Sequence, residues 1–230
     1  MNTIMAESLD YIATKLEKAP KGKFNEAVTA VLTEIAKAHS AVIFNGNGYS
    51  EEWHQEAAKR GLPNLKTSVD ALPVITDKNT VAAYEKYGVL SKRELEARRD
   101  IAYEQYCKAV NVEANLVLEL AKTKIFPAAM RYQTELASNV AAMKAAGQKP
   151  ATCMLEAVTG SIGDLGKACE ALCEARERHV HGLAAEAKHY CDDVLPAMLE
   201  VRKAADALEA IVADDLWPLP TYEEMLFISK

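Results

Sequence analysis

Proline and glycine are scarce in this 230-residue chain, at 8 and 10 residues, and aromatic residues make up only 7% of it. Disordered, collagen-like and low-complexity classes need more of the first two and less than the 50% hydrophobic content present here. Few aromatics beside abundant alanine favour helix over sheet, because alanine loses almost no side-chain freedom on entering a helix. Positive charge is in deficit, with 27 Lys and Arg against 33 Asp and Glu and a formal net charge of −6. That balance offers no general attraction to nucleic-acid phosphates or anionic lipid, so neither partner is expected. No apolar run approaches the roughly 20 residues of a membrane-spanning helix, and the first residues lack the basic start and apolar core of a secretory signal. The expected setting is cytoplasmic. Five cysteines, an odd number in a chain long enough to bury a core without staples, are expected as reduced thiols.

What is present is helical periodicity with clear punctuation. Asn2 or Thr3 is read as the cap of a first helix reaching Lys18, with Ile4, Ile12 and Leu16 among its apolar positions. Pro20 and Gly22 end it, and Asn25 is read as the cap of a second helix whose Val28, Val31, Leu32 and Ile35 form a narrow buried stripe. Residues 41–44 are compatible with a short strand or extended segment, followed by turn chemistry at Asn45, Gly46, Asn47 and Gly48. Ser50 opens a short helix to Lys59, stopped by Gly61, and residues 64–73 read as an ordered connector. Asp77 caps a helix to Glu85 or Lys86 that uses Val81, Ala82 and Tyr84, and Gly88 ends it.

The long helices begin at Ser91, where Ser91 and Glu94 form a capping box. Leu95, Ala102, Ala109 and Leu116 recur every seven residues, with Tyr106 and Leu120 on a second seam position, which predicts a helical partner on that stripe. Asn111 is a candidate break, and Pro127 should bend or restart the helix because it cannot donate to the carbonyl four residues back. The pattern continues as Ile125, Ala129, Tyr132, Leu136, Val140 and Met143 until Gly147 and Pro150 turn the chain. Leu155, Val158, Ile162, Leu165, Cys169 and Leu172 form the next run. Gly160, Gly163 and Gly166 within it mark either a frayed or bent stretch or a close approach of another backbone. Val194, Met198, Val201, Ala205, Leu208 and Val212 form the cleanest run, with Pro196 one turn inside and an expected end near Asp215. Residues 126–130 and 195–198 look alike, each a proline bend leading into an amphipathic helix. Beyond Leu216, Trp217 and Leu219, Thr221 is read as the cap of a last turn ahead of Met225, Leu226 and Phe227, an apolar tail expected to dock.

Side chains with chemistry are weighed against packing. Cys169 and Cys173 share a helical face and are followed by His179, His181, His189 and Cys191, an unspecific spacing for a metal, while Cys169 already fills the apolar stripe. His39 suits a helix carboxyl end, and His54 lies beside Trp53 on an acidic helix, with no nucleophile at a recognised spacing from either. The run from Asn45 to Ser50 lacks both P-loop and G-x-G-x-x-G spacing and reads as a turn, with a weak anion or interface site as the other reading. Asp192 with Asp193 and Asp214 with Asp215 read as solvated pairs, and Lys92, Arg93, Arg98 and Arg99 as helix charges paired with Glu94, Glu96 and Asp100. No residue is assigned a catalytic, cofactor-binding or metal-binding role.

Several long words in this chain resemble the carboxyl-terminal portion of type III glutamine synthetases. They are Asn2-Thr3-Ile4-Met5-Ala6-Glu7-Ser8-Leu9-Asp10, the stretch from Val42 to Trp53, Lys59 to Thr67, Tyr87 to Glu96, and Trp217-Pro218-Leu219-Pro220-Thr221-Tyr222. The resemblance covers essentially the whole chain. It implies a larger parent that makes glutamine from glutamate and ammonia, using ATP and Mg²⁺ through a γ-glutamyl phosphate. The family's metal ligands and catalytic residues lie upstream, and none maps onto a residue here. The resemblance further implies that residues 1–75 are the carboxyl-terminal edge of the catalytic domain and residues 76–230 a family-specific helical domain. The implied partners are the rest of the synthetase chain and neighbouring subunits of a large homo-oligomer.

The expected fold is mostly α, an antiparallel bundle of long, proline-bent helices preceded by a small helical and connector segment. The expected function is a non-catalytic helical portion of the ligase that supports structure, assembly or regulation, with no cofactor of its own. The alternatives are an autonomous helical protein-binding module and, behind it, a small Cys/His metal-site protein or helical enzyme.

Overall fold

A computed structural model describes residues 2–220 and 222–226 and contains helices and turns, with no strand among the described residues. The mostly α expectation holds. The chain divides into two compact units, residues 1–101 and 102–230.

In the first unit, α1 (Asn2–Glu17) and α2 (Phe24–Ala38) pack against each other, with the chain reversing at Gly22, whose φ is 81°. The expected caps are misplaced: Asn2 and Thr3 already belong to α1, and Lys23 precedes α2 without any side-chain cap. Of the expected α2 stripe, Val31 is buried and Leu32 is exposed. Residues 41–44 form no strand; Ser40–Val42 is a 3₁₀ turn, and the chain extends only from Ile43. Helix α3 (Glu51–Lys59) ends at Gly61, where Leu62 N–H donates to Ala57 O at 2.9 Å and closes the left-handed cap. The connector holds a turn of helix, α4 (Ser68–Ala71), which Thr67 caps by accepting from Asp70 N–H, and a 3₁₀ turn at Leu72–Thr76. Asp77 caps α5 (Lys78–Lys86) as expected, accepting from Asn79 N–H at 2.9 Å, but Ala83 rather than Ala82 is its buried residue.

The division between the units falls within α6 (Lys92–Leu120). Its start is the predicted box: Ser91 N–H donates to the Glu94 carboxylate at 2.8 Å, and Glu94 N–H donates to Ser91 Oγ at 3.4 Å. Asn111 does not interrupt it. The expected seam is met only in part: Leu95 is buried and Ala102, Tyr106 and Leu120 are half-buried. Tyr103, Cys107, Val110, Ala114 and Leu118 are buried, spaced by three and four, whereas Ala109 is exposed and Leu116 is 51% exposed. Both stripes satisfy a helical period, so the pattern alone could not choose between them.

Pro127 and Pro196 neither stop nor restart their helices. Each follows a five-residue π turn, Ala121–Ile125 and Tyr190–Val194, in which Phe126 and Leu195 N–H donate five residues back, to Ala121 O and Tyr190 O. A wider turn relieves the clash of the proline ring with the carbonyl four residues earlier and absorbs the missing N–H. The two look-alike segments therefore share one local solution, leading into α7 (Phe126–Ala145) and α10 (Leu195–Glu209). Helix α10 ends about one and a half turns before the expected Asp215, which instead lies in a 3₁₀ turn.

Gly147, with φ at 71°, turns the chain from α7 into α8 (Cys153–Glu177), and the two helices pack together. Helix α8 also packs on α10, which follows α9 (Leu183–His189). Leu165, Leu172, Val194 and Leu208 are fully dry in the shared core. Of the three α8 glycines, Gly160 and Gly163 face open space and Gly166 meets only the Phe126 ring at 3.6 Å, so no backbone approaches them, and α8 runs through all three. Leu216, Trp217 and Leu219 dock on the core as expected, but Met225 and Leu226 of α11 (Tyr222–Leu226) stay exposed. The expected cap at Thr221 and the expected docking of Phe227 lie outside the described residues.

The register correction has a measurable signature. Leu165→Ala and Leu208→Ala should each lower unfolding free energy by about 2–5 kcal/mol, whereas Leu116→Ala should change it by less than about 0.5 kcal/mol. Urea denaturation followed by circular dichroism reads both, and a Leu116 loss as large as that at Leu165 would restore the original seam.

Candidate functional site

The most connected polar group in the second unit is His189, at the end of α9 and 6% exposed. Its Nε2 lies 2.8 Å from Ala175 O of α8 and therefore carries a proton, since a carbonyl oxygen can only accept. Its Nδ1 lies 2.6 Å from Asp193 Oδ2 and 2.8 Å from the Arg178 guanidinium, which also binds Asp193. The His189 bond, followed by the Arg178 charge, holds the Asp193 carboxyl below the usual carboxylate range. With both ring nitrogens engaged, His189 has no free nitrogen to take a substrate proton. The cluster instead locks α9 and the second π turn to the end of α8. Sequence spacing missed it and read Asp193 as a solvated acid. The signal available was the i, i+4 relation of His189 and Asp193 on one helical face.

The other candidate metal ligands do not converge. Cys169 is dry within the core stripe, and Cys173 accepts a hydrogen bond from Lys122 Nζ at 3.3 Å across to the first π turn. His179 and His181 are exposed beyond α8, and Asp192 pairs with Lys188 at 3.1 Å. Among the described residues no group of three or more His, Cys, Asp or Glu side chains is placed to hold a metal ion. All five cysteines are free thiols. Burial pushes the Cys107 thiol up to about 11 and raises Cys169 as well, and burial with a bond to Cys191 pushes Tyr106 up to about 12. These groups are held in their neutral, least nucleophilic forms at neutral pH.

The turn from Asn45 to Ser50 satisfies itself. Asn47 Oδ1 accepts from Tyr49 N–H at 3.0 Å, and Ser50 donates to Asn47 O from both its hydroxyl, at 2.7 Å, and its backbone N–H. Glu51 and Glu52 fill the first turn of α3, where their charge opposes an incoming anion. A phosphate cradle is therefore disfavoured. Around this turn Arg60 is the organising residue that spacing did not reveal. It donates to Ile43 O at 2.8 Å and Ala41 O at 3.2 Å, pairs with Glu56 at 2.7 Å, and stands over the Trp53 ring, on which Phe44 stacks with centroids 4.6 Å apart. His39 closes the end of α2 and His54 lies on α3. In the basic stretch, Lys92 pairs with Glu96 at the i, i+4 spacing of a helix face, and Arg99 pairs with its sequence neighbour Asp100. Arg99 also donates to Thr76 Oγ1 at 3.1 Å.

The second unit holds a cleft of about 370 Å³ beside the first π turn, lined mainly by Val117, Ala121, Ile125, Val201, Trp217 and Leu219. Its charged rim includes Arg202 and Asp206, which pair with each other at 2.5 Å. Such walls hold apolar surface and offer no acid, base or nucleophile in a reactive arrangement. No helix among the described residues is long and apolar enough to cross a membrane.

Comparison with known proteins adds what this geometry does not carry. Residues 27–144 match a family description, Glutamine synthetase C-terminal domain. The chain is 32% identical over 220 residues to a glutamine synthetase of Butyrivibrio fibrisolvens, covering 93% of this chain and 31% of that protein. It is 31% identical over 240 residues to a type-3 glutamine synthetase of Dictyostelium discoideum, covering 99% and 32%. It is 30% identical over 243 residues to a glutamine synthetase of Bacteroides fragilis, covering 99% and 33%. The chain thus spans about a third of the length of the curated relatives it matches.

The Asp193 lock fixes a pH dependence. A carboxyl held below its unfolded value of about 4 stabilises the fold above that value and loses the contribution as pH falls through the folded value. Thermal melts of the natural chain should therefore drop below about pH 4 more steeply than those of Asp193→Asn, which should already be less stable at pH 7. Parallel pH profiles for the two proteins would refute the lock.

Proposed function

The chain belongs to the glutamine synthetase family, and we propose that it is the non-catalytic carboxyl-terminal helical portion of an ATP-dependent glutamate–ammonia ligase, serving structure and assembly. The observation that carries this reading is a match over nearly the whole chain to one third of each relative's length. What the described residues offer chemically supports it: a histidine with both nitrogens engaged, thiols raised by burial, and an apolar cleft.

The parent activity calls for ATP and Mg²⁺, and the residues here do not fit that pair. Phosphoryl transfer needs carboxylates converging on a metal and a positive clamp on the phosphates. The acids described here are dispersed in pairs with lysines and arginines, and the one glycine-rich turn leads into Glu51 and Glu52. No step of the reaction is therefore assigned to these residues. In this reading residues 1–75 continue the catalytic domain, residues 76–230 form the helical addition, and the rest of the synthetase chain, in a cytoplasmic homo-oligomer, is the partner.

Two measurements test the proposal. The 230-residue chain incubated with glutamate, ammonia, ATP and Mg²⁺ should release no glutamine or phosphate above background. Deleting the segment equivalent to residues 91–230 from a full-length relative should change its oligomer size by sedimentation, its activity, or both. Turnover by the short chain, or a deletion that leaves size and activity intact, would overturn it.

A further inference from the structure

The end of α8 is completed by a side chain from another element. Ala175 O belongs to the last turn of α8, whose carbonyls have no partner within the helix. His189, at the end of α9, supplies that partner through Nε2–H at 2.8 Å. Arg178, which follows α8 directly, and Asp193, in the second π turn, meet at the other ring nitrogen.

That meeting cannot be satisfied all at once. Nδ1 has a single site in the ring plane: bare, it accepts, and protonated, it donates. The Arg178 guanidinium, 2.8 Å away, only donates, and the ionised Asp193 carboxylate, 2.6 Å away, only accepts. A bare Nδ1 therefore takes the Arg178 bond and sets its lone pair against the carboxylate. A protonated Nδ1 donates to Asp193 and sets its hydrogen against the guanidinium. The residue is 6% exposed, so little water is at hand to relieve either mismatch.

The charges around Nδ1 oppose one another. Asp193 and the carboxyl end of α8 attract a proton there, and Arg178 repels it. The remaining charged neighbours are largely taken up: Asp192 of the π turn pairs with Lys188 of α9, and Arg176 of α8 binds Asn115 of α6 and Glu177. Glu174 of α8 lines the same surface hollow as Arg178 and Asp193. The Tyr190 ring stands edge-on to the imidazole with centroids 6.0 Å apart, and burial raises its phenol, which stays neutral.

We propose that His189 is a proton-operated joint between α8 and α9, in which a bare Nδ1 is held by Arg178 and a proton taken from solvent hands the ring over to Asp193. Nε2–H stays on Ala175 O in both states, so the end of α8 keeps its partner. Arg178 keeps Asp193 but gives up the ring, and the connection 178–182 between the two helices loosens. The three-residue cluster passes from neutral to singly positive. Acidification is thereby read out as freedom of one connection, with the core stripes undisturbed.

Long-range ¹H–¹⁵N correlation spectra of the 230-residue chain test this between about pH 8.5 and 5, the interval in which imidazoles change charge. Nε2 of His189 should be protonated throughout, and Nδ1 should pass from bare to protonated within the interval. Hydrogen exchange of amides 179–182, corrected for its intrinsic pH dependence, should quicken at least about threefold over the same steps. An Nδ1 fixed in either form, or corrected exchange that does not change, would overturn the proposal.

Two substitutions separate a partner exchange from passive packing. Arg178→Met removes the donor and should move the Nδ1 transition to higher pH, whereas Asp193→Asn removes the anion and should move it lower, each by at least about half a pH unit. Movement in the same direction, or none, would refute the exchange. Where a variant loses its helical circular dichroism, the titration of the natural chain decides by itself.

Discussion

A dry apolar seam between α8 and α10 holds the carboxyl-terminal unit together. Leu165 and Leu172 on one helix and Leu208 on the other are fully removed from water, with Val201 nearly so. Each such side chain contributes on the order of 1.5–3 kcal/mol on burial, and closely packed interiors tolerate little displacement. The other elements adapt to that seam. Both prolines lie in the first turn of helices that must keep their apolar stripes aimed inward. The π turns before them let the chain absorb a proline without losing the phase of the stripe: Ile125 and Val194, at the ends of those turns, remain buried.

The amino-terminal unit follows a different principle. Its helices are joined by ion pairs at exposed or half-exposed positions, among them Asp10 with Lys86 and Lys15 with Glu34. Such contacts set orientation at modest energy, whereas apolar burial supplies most of the stability of a fold. Ile4, Met5, Leu9, Phe24 and Leu32 are exposed in this unit.

The reactive residue types are explained by structure. His189 is a bridge between α8, α9 and a π turn, and Cys169 fills a place in the core that a small hydrophobe would fill. Arg60 holds two carbonyls of an extended segment and covers Trp53. Each uses polar chemistry to hold the backbone.

Residue order by itself determined the punctuation of this protein. The Ser91 and Asp77 caps, the glycine stops at Gly61, Gly88 and Gly147, and the apolar run from Val194 to Val212 are local, because a cap or a left-handed residue needs only its immediate neighbours. The words shared with type III glutamine synthetases were legible for the same reason. Tertiary structure decided which of two equally periodic stripes on α6 faces inward, turned the apolar side of α1 outward, and joined His189, Asp193 and Arg178. These outcomes depend on surfaces distant in sequence: a helical period fixes which side chains share a face, but only the packed neighbours select the face that is buried.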